Sequence, residues 1–87
     1  MVIKWFVPLD RLFGPVTRLE LPGPIRVADL LARLVAEKPE FRPYGHFDPG
    51  DKQPHGLIVW RKGQALSLDE TLSPDDELEM IIMVAGG

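Results

Sequence analysis

Residues 27–35 read VADLLARLV, and they carry the strongest structural signal in this chain of 87 residues. Their large apolar side chains recur at the spacing that lines one face of an α-helix. These side chains are Val27, Leu30, Leu31, Leu34 and Val35. Pro39 ends the helix at or before Lys38, because the residue before a proline avoids helical dihedral angles. The pattern predicts one amphipathic helix that packs its apolar stripe against a second layer.

A hairpin is predicted before the helix. Residues 2–7 form its first strand, because β-branched and aromatic side chains are concentrated there. Lys4 marks the outward side of this strand, and Phe6 shares that side, since side chains alternate between the two faces. Residues 16–21 form the second strand, in which apolar and charged residues alternate. The side chains of the first strand that we expect in the core are Ile3, Trp5 and Val7.

After the helix, a long connection and two further strands are predicted. Residues 39–56 contain prolines and glycines throughout, so no regular structure is expected in this loop. Residues 57–61 form a strand, and residues 68–72 form a single helical turn. Residues 78–84 form the last strand, because acidic side chains mark its outward side. Its inward side chains are Leu78, Met80, Ile82 and Val84.

The order of these elements predicts an α+β fold in a single domain, residues 1–87. One main helix is expected to pack across a mixed sheet of four to five strands. The long loop at residues 39–56 and a flexible tail at residues 85–87 are the expected exceptions to regular structure.

Composition and charge exclude several classes of chemistry. The chain has no cysteine, which excludes disulfide frameworks, thiolate metal sites and cysteine nucleophiles. A net charge of −3 argues against sequence-independent binding to nucleic acid. No apolar run approaches the ~20 residues of a membrane span, and the start lacks the pattern of a signal peptide. A cytoplasmic protein that binds neither nucleic acid nor membrane is expected.

The sequence ends in Gly86-Gly87, directly after the last predicted strand. A diglycine end has no side chains, so it can enter a narrow channel that excludes Cβ atoms. A carboxylate is a poor electrophile and needs activation, most simply as an acyl-adenylate. By itself a diglycine is more often a mobile terminus, but its position after an ordered strand favours a functional end.

Four segments of the chain carry a resemblance to a known family. They are Ile3-Lys4 with Arg11 to Gly14, Val27 to Leu31 with Leu34, Thr71 to Leu78, and Val84 to Gly87. In this order and at this length, the chain resembles the MoaD/ThiS sulfur carriers, which are ubiquitin-like β-grasp proteins. The resemblance runs nearly from end to end and implies a β-grasp (ubiquitin-like) roll.

The resemblance also implies a reaction cycle that partner enzymes carry out. An adenylating, ubiquitin-activating-like enzyme, using ATP and magnesium, would form the acyl-adenylate of Gly87. A sulfur donor would convert it to a thiocarboxylate, and a large synthase subunit or another acceptor enzyme would take the sulfur. Ala85 and Gly86 would form the tail that presents Gly87. The chain would then be a protein cosubstrate without a bound cofactor, and not an enzyme.

The small subunit of molybdopterin synthase is the first candidate within the family. Ile82-Met83 stand where many such subunits carry two prolines. Two alternatives stay open: a carrier for thiamine, cysteine or another sulfur metabolite, and a ubiquitin-fold interaction module or protein modifier joined through Gly87 to lysines.

Outward apolar side chains on the first and last strands predict a docking surface made of Phe6, Ile81 and Met83. In the β-grasp fold these two strands are neighbours in the centre of the sheet. Trp5 and Trp60 are expected in the core instead.

Two groups of polar residues remain. His46 and His55 lie near Asp48 and Asp51, but structural metal sites usually have four fixed ligands, so a solvated loop is favoured and no metal is predicted. Acidic residues cluster between positions 69 and 79, either as a solvated turn or to steer the chain toward a basic partner. They are Asp69, Glu70, Asp75, Asp76, Glu77 and Glu79.

Overall fold

A computed structural model describes residues 1–82 of the chain. In chain order, the elements are β1 (Val2–Trp5), α1 (Asp10–Phe13), β2 (Val16–Arg18), β3 (Ile25–Arg26), α2 (Val27–Glu37), a 3₁₀ turn (Pro39–Phe41), α3 (Arg42–Gly45), β4 (Leu57–Arg61), β5 (Gln64–Ala65), β6 (Thr71–Leu72) and β7 (Glu77–Ile82). Of the helices within residues 1–82, none combines the length and the apolar character that a membrane span requires.

The main sheet has five strands in the order β2-β1-β7-β4-β5. β1 and β7 are parallel and lie side by side, with Trp5 opposite Met80. β1 pairs with β2, and β7 with β4, in antiparallel fashion. A parallel pair needs a crossover connection, and α2 lies within the segment that links β1 to β7. The predicted mixed sheet with one main helix is confirmed.

The apolar stripe of α2 is buried as the spacing predicted. Val27, Leu30, Leu31 and Leu34 have no exposed surface. They share one core with the inward side chains of the central strands, namely Ile3, Leu57, Val59, Leu78 and Met80. Side chains of this size contribute about 1.5–3 kcal/mol each when fully buried.

Backbone groups from another segment satisfy the start of α2. Arg26 occupies the N-cap position and makes no side-chain capping bond. Instead, the N–H groups of Val27 and Ala28 donate to the carbonyl oxygens of Glu70 and Leu68, at 3.0 and 2.9 Å. These bonds pair donors that a helix leaves open at its first turn. Residues 68–72 therefore do not form the predicted helical turn, because Thr71–Leu72 extend as β6 along β3.

The first strand is shorter than predicted, and Val7 is wrongly assigned to the core. β1 ends at Trp5, and Val7 is 72% exposed. The N–H of Leu9 donates to the carbonyl of Phe6 at 2.8 Å, which closes a turn and carries Leu9 into the core instead. Trp5 is buried as predicted, and its indole N–H donates to the Thr17 hydroxyl at 2.8 Å.

The 39–56 connection is not devoid of regular structure, contrary to the prediction. It begins with the 3₁₀ turn and α3, each of which has a proline in its first turn, where the missing N–H costs nothing. Phe41 is fully buried and meets the rings of Trp5 and Phe13 edge-on, at centroid distances of 5.6 and 5.2 Å. A Cβ on Gly45 would lie 2.6 Å from the Phe41 ring, so glycine is required there for this packing.

Candidate functional site

A shallow groove of about 390 Å³ lies on the face of the sheet opposite α2. We call it the apolar groove, and its lining residues are Phe6, Trp60, Gly63, Glu79 and Ile81. The N–H of Phe6 donates to the carbonyl of Met80 at 3.1 Å, which holds Phe6 next to the following residue of β7, Ile81. Phe6 is 46% exposed, whereas Ile81 is half-buried. The two described residues of the predicted docking surface therefore lie together on the outer face.

The remaining predicted site residues lie outside the described part of the chain. They are Met83 of the docking surface and the tail residues Ala85, Gly86 and Gly87. Their roles stay predictions from the sequence.

Trp60 lines the apolar groove, so the prediction that it lies in the core is wrong. It pairs with Glu79 across β4 and β7 and is half-buried on the outer face. Residues 57–61 read LIVWR, which is apolar on both faces, so alternation within this strand cannot indicate its inner side. Trp60 pairs with Glu79, which faces outward on β7, and this pairing places Trp60 on the outer face.

A charged groove of about 390 Å³ adjoins the apolar groove and shares Glu79 with it. Its lining residues are Lys4, Arg61, Lys62, Asp75, Asp76, Glu77, Leu78 and Glu79. Three of the six clustered acids are engaged locally: the Ser67 hydroxyl donates to Asp69, the Ser67 N–H donates to Glu70, and Arg61 pairs with Asp76. The other three acids, Asp75, Glu77 and Glu79, line the groove together with Lys4 and Lys62, so its surface carries charges of both signs.

Asp76 holds the turn that leads into β7. Its carboxylate accepts from the backbone N–H of Ser73 and from Arg61, both at 2.9 Å. Burial acts to raise the pKa of Asp76, but these hydrogen bonds and the Arg61 charge outweigh burial, so its pKa lies below the usual value.

Asp76 is therefore expected to stabilise the fold at neutral pH and to lose that effect in acid. The unfolded carboxyl, with a pKa of about 3.9, takes up its proton before the folded one as the pH falls. Asp76→Asn should lower the urea midpoint near neutral pH, and its difference from the parent should shrink toward about pH 3. Urea titrations at several pH values measure this difference, with Asp75→Asn as the matched control. A difference that does not change with pH would contradict the assignment.

The long loop brings three potential ligand residues together. One ligand atom each from Asp48, Asp51 and His55 lies within 4.8 Å of the others. The His55 Nε2 is 2.6 Å from the Asp51 Oδ2 and 3.4 Å from the Asp48 Oδ2. Two hydrogen bonds lower the pKa of Asp51. The larger effect comes from the bond that the Asp48 N–H donates to its carboxylate, and the next from the bond to His55. The His46 ring lies beside His55, with a centroid distance of 4.4 Å.

Comparisons with known proteins agree with this fold. The model of the ThiS family matches residues 3–87. The solved structure of SAMP1 from Haloferax volcanii is similar at a TM-score of 0.75 and 30% sequence identity, over 100% of this chain and 98% of that chain. No curated protein matches the sequence significantly. The β-grasp prediction is confirmed, and the chain belongs to the ThiS family of ubiquitin-fold sulfur carriers.

Proposed function

We propose that this chain carries sulfur as a thiocarboxylate on Gly87, made and used by partner enzymes. The observation that supports it most is the family match, which extends through Gly86-Gly87 to the last residue of the sequence. β7 is a central strand of the sheet and is described up to Ile82, which precedes Gly87 by five residues.

The chemistry in this proposal uses two partner steps. The Gly87 carboxylate attacks the α-phosphorus of ATP and releases pyrophosphate, which gives an acyl-adenylate. Hydrosulfide from a sulfur donor then attacks the acyl carbon and displaces AMP. The new C–S bond replaces the C–O bond to the phosphate, and loss of the S–H proton leaves the thiocarboxylate. The chain supplies the acyl group and the docking surface, and its partners supply catalysis.

The apolar groove is the docking surface for the adenylating enzyme in this proposal. It includes Ile81, next to the end of the described strand, and five residues can span at most about 17 Å. A partner seated on the groove can therefore reach Gly87 as well. The acids Asp75, Glu77 and Glu79 of the adjoining charged groove, which Lys4 and Lys62 also line, offer contacts to basic side chains of a partner.

The acceptor in this proposal is a large synthase subunit of the molybdopterin type. Intact-mass measurement after incubation with ATP, an activating enzyme and sulfide tests the carrier step. A gain of about 16 Da, one oxygen replaced by sulfur, supports the thiocarboxylate. Isopeptide conjugates on lysines of other proteins, without that gain, would instead favour a protein modifier. If neither product forms, the chain is a plain interaction module.

Ile81→Asp is expected to weaken binding of the activating enzyme. A buried apolar side chain at a contact contributes about 1.5–3 kcal/mol, so the dissociation constant should rise by roughly 10- to 150-fold. Ala32→Asp adds the same charge on the exposed side of α2, away from the sheet, and should leave binding unchanged. Titration calorimetry measures affinity, and urea unfolding checks the fold. Loss of folding in Ile81→Asp would show that Ile81 contributes mainly to the core.

A further inference from the structure

The loop formed by residues 46–55 is held in one shape by its backbone. The N–H of His55 donates to the carbonyl of His46 at 3.0 Å, and the N–H of Gly56 donates to that of Tyr44 at 3.2 Å. These two bonds close the base of the loop. Farther along, the carbonyl of Lys52 accepts from the N–H of Leu68 at 2.8 Å, which ties the loop to the body of the domain.

Apolar anchors and a turn complete this arrangement. Pro54 is buried, and Phe47 packs against the core. Gly50 adopts a φ of +90°, in the region that favours glycine, and the N–H of Asp51 donates to the carbonyl of Asp48 at 3.0 Å. The turn therefore places the carboxylates of Asp48 and Asp51 close together. The hydrogen bond at the base of the loop places the His55 ring beside them.

We propose that Asp48, Asp51 and His55 form a binding site for a divalent transition-metal ion of the Zn²⁺ class. Donor atoms at 2.0–2.2 Å from a tetrahedral zinc ion lie about 3.3 Å from one another. The distance between His55 Nε2 and Asp48 Oδ2, 3.4 Å, already fits this geometry. The Asp51 Oδ2 lies 2.6 Å from the His55 Nε2, closer than two ligands of one zinc ion, so metal binding must replace this hydrogen bond.

Charge and ligand type favour this ion class. Histidine ligates a metal through a neutral ring, so a set of two carboxylates and one imidazole contributes a charge of −2, which a divalent ion balances. Imidazole nitrogen suits zinc and its transition-metal neighbours, whereas magnesium and calcium prefer oxygen donors alone. Water completes the coordination, because the three ligands lie on the exposed side of the loop. Within residues 1–82, Asp48, Asp51 and His55 form the one group of three His, Asp or Glu residues whose ligand atoms lie within 4.8 Å of one another.

Titration of the purified full chain with Zn²⁺ alone tests the site. At about pH 7.5, calorimetry should show one Zn²⁺ bound per chain. Co²⁺ should give the visible absorption of a low-symmetry, nitrogen-containing site. His55→Gln and Asp48→Asn should each weaken Zn²⁺ binding by at least about tenfold, an effect that loss of even an outer-shell partner can produce.

Asp75→Asn makes the same change of charge outside the loop, and it should leave Zn²⁺ affinity unchanged. Both loop variants should unfold at the same urea midpoint as the parent without metal, because Asp48 and His55 are exposed. The proposal is wrong if the parent shows no saturable Zn²⁺ binding, or if His55→Gln and Asp48→Asn both retain its affinity. Saturation by Ca²⁺ or Mg²⁺ in preference to Zn²⁺ would overturn the assignment to a transition metal.

Discussion

Deletion of Gly87 is expected to abolish activation of the chain while leaving it folded and able to dock. The deletion moves the terminal carboxylate back by about 3.5 Å, the length of one extended residue. A misplacement of about 1 Å at a reacting centre can cost 10²-fold in rate, so adenylation should fall by at least that factor. ATP–pyrophosphate exchange with the activating enzyme measures the rate, and calorimetry measures docking on the apolar groove.

Gly86→Val keeps the length of the chain and tests the narrow channel separately. Its branched side chain should also impair adenylation, because the channel is proposed to admit only backbone. Neither change should lower the urea midpoint, since the core residues within the described range end at Met80. Adenylation of the shortened chain at the parent's rate would disprove the terminal-carboxylate mechanism.

Phe41→Ala is expected to produce the largest loss of stability among single substitutions in the loop. Its ring is fully buried and contacts Trp5 and Phe13 edge-on, while Gly45 packs directly against it. Truncation of a buried phenylalanine costs about 3–5 kcal/mol, a large part of the 5–15 kcal/mol that stabilises a typical domain. The free energy of unfolding in urea measures this loss.

Phe6→Ala provides the matched control, since it removes the same atoms from a side chain that is 46% exposed. It should cost little in stability but weaken docking, because Phe6 lines the apolar groove. A free energy of unfolding for Phe41→Ala within about 1 kcal/mol of the parent would contradict the packing role of Phe41.

Local periodicity explains why so much of the fold could be predicted. The spacing in residues 27–35 marks the buried side of α2, and the charges at Lys4 and Glu79 mark the outer face of β1 and β7. Each of these signals needs only neighbours along the chain, because helices and strands repeat their faces over a few residues. The positions of Phe6 and Ile81 on the outer face follow from the same alternation.

Other features depend on segments that are distant in sequence, and for these the signal along the chain was absent or misleading. Prolines in residues 39–43 indicated breaks in regular structure. They instead begin short helices, because Phe41 has a buried place against the stacked rings of Trp5 and Phe13. Residues 68–72 looked helical, but they extend because the open end of α2 and the strand β3 take up their backbone groups.

Local patterns along the chain are enough to predict the main helix, the two sides of β1 and β7, and the resemblance that the family match confirmed. The outward side of Trp60 and the meeting of Asp48, Asp51 and His55 emerge only when the chain is folded. Periodicity specifies a face within one element, whereas the register between strands and the closure of a loop depend on long-range pairing that no single segment encodes.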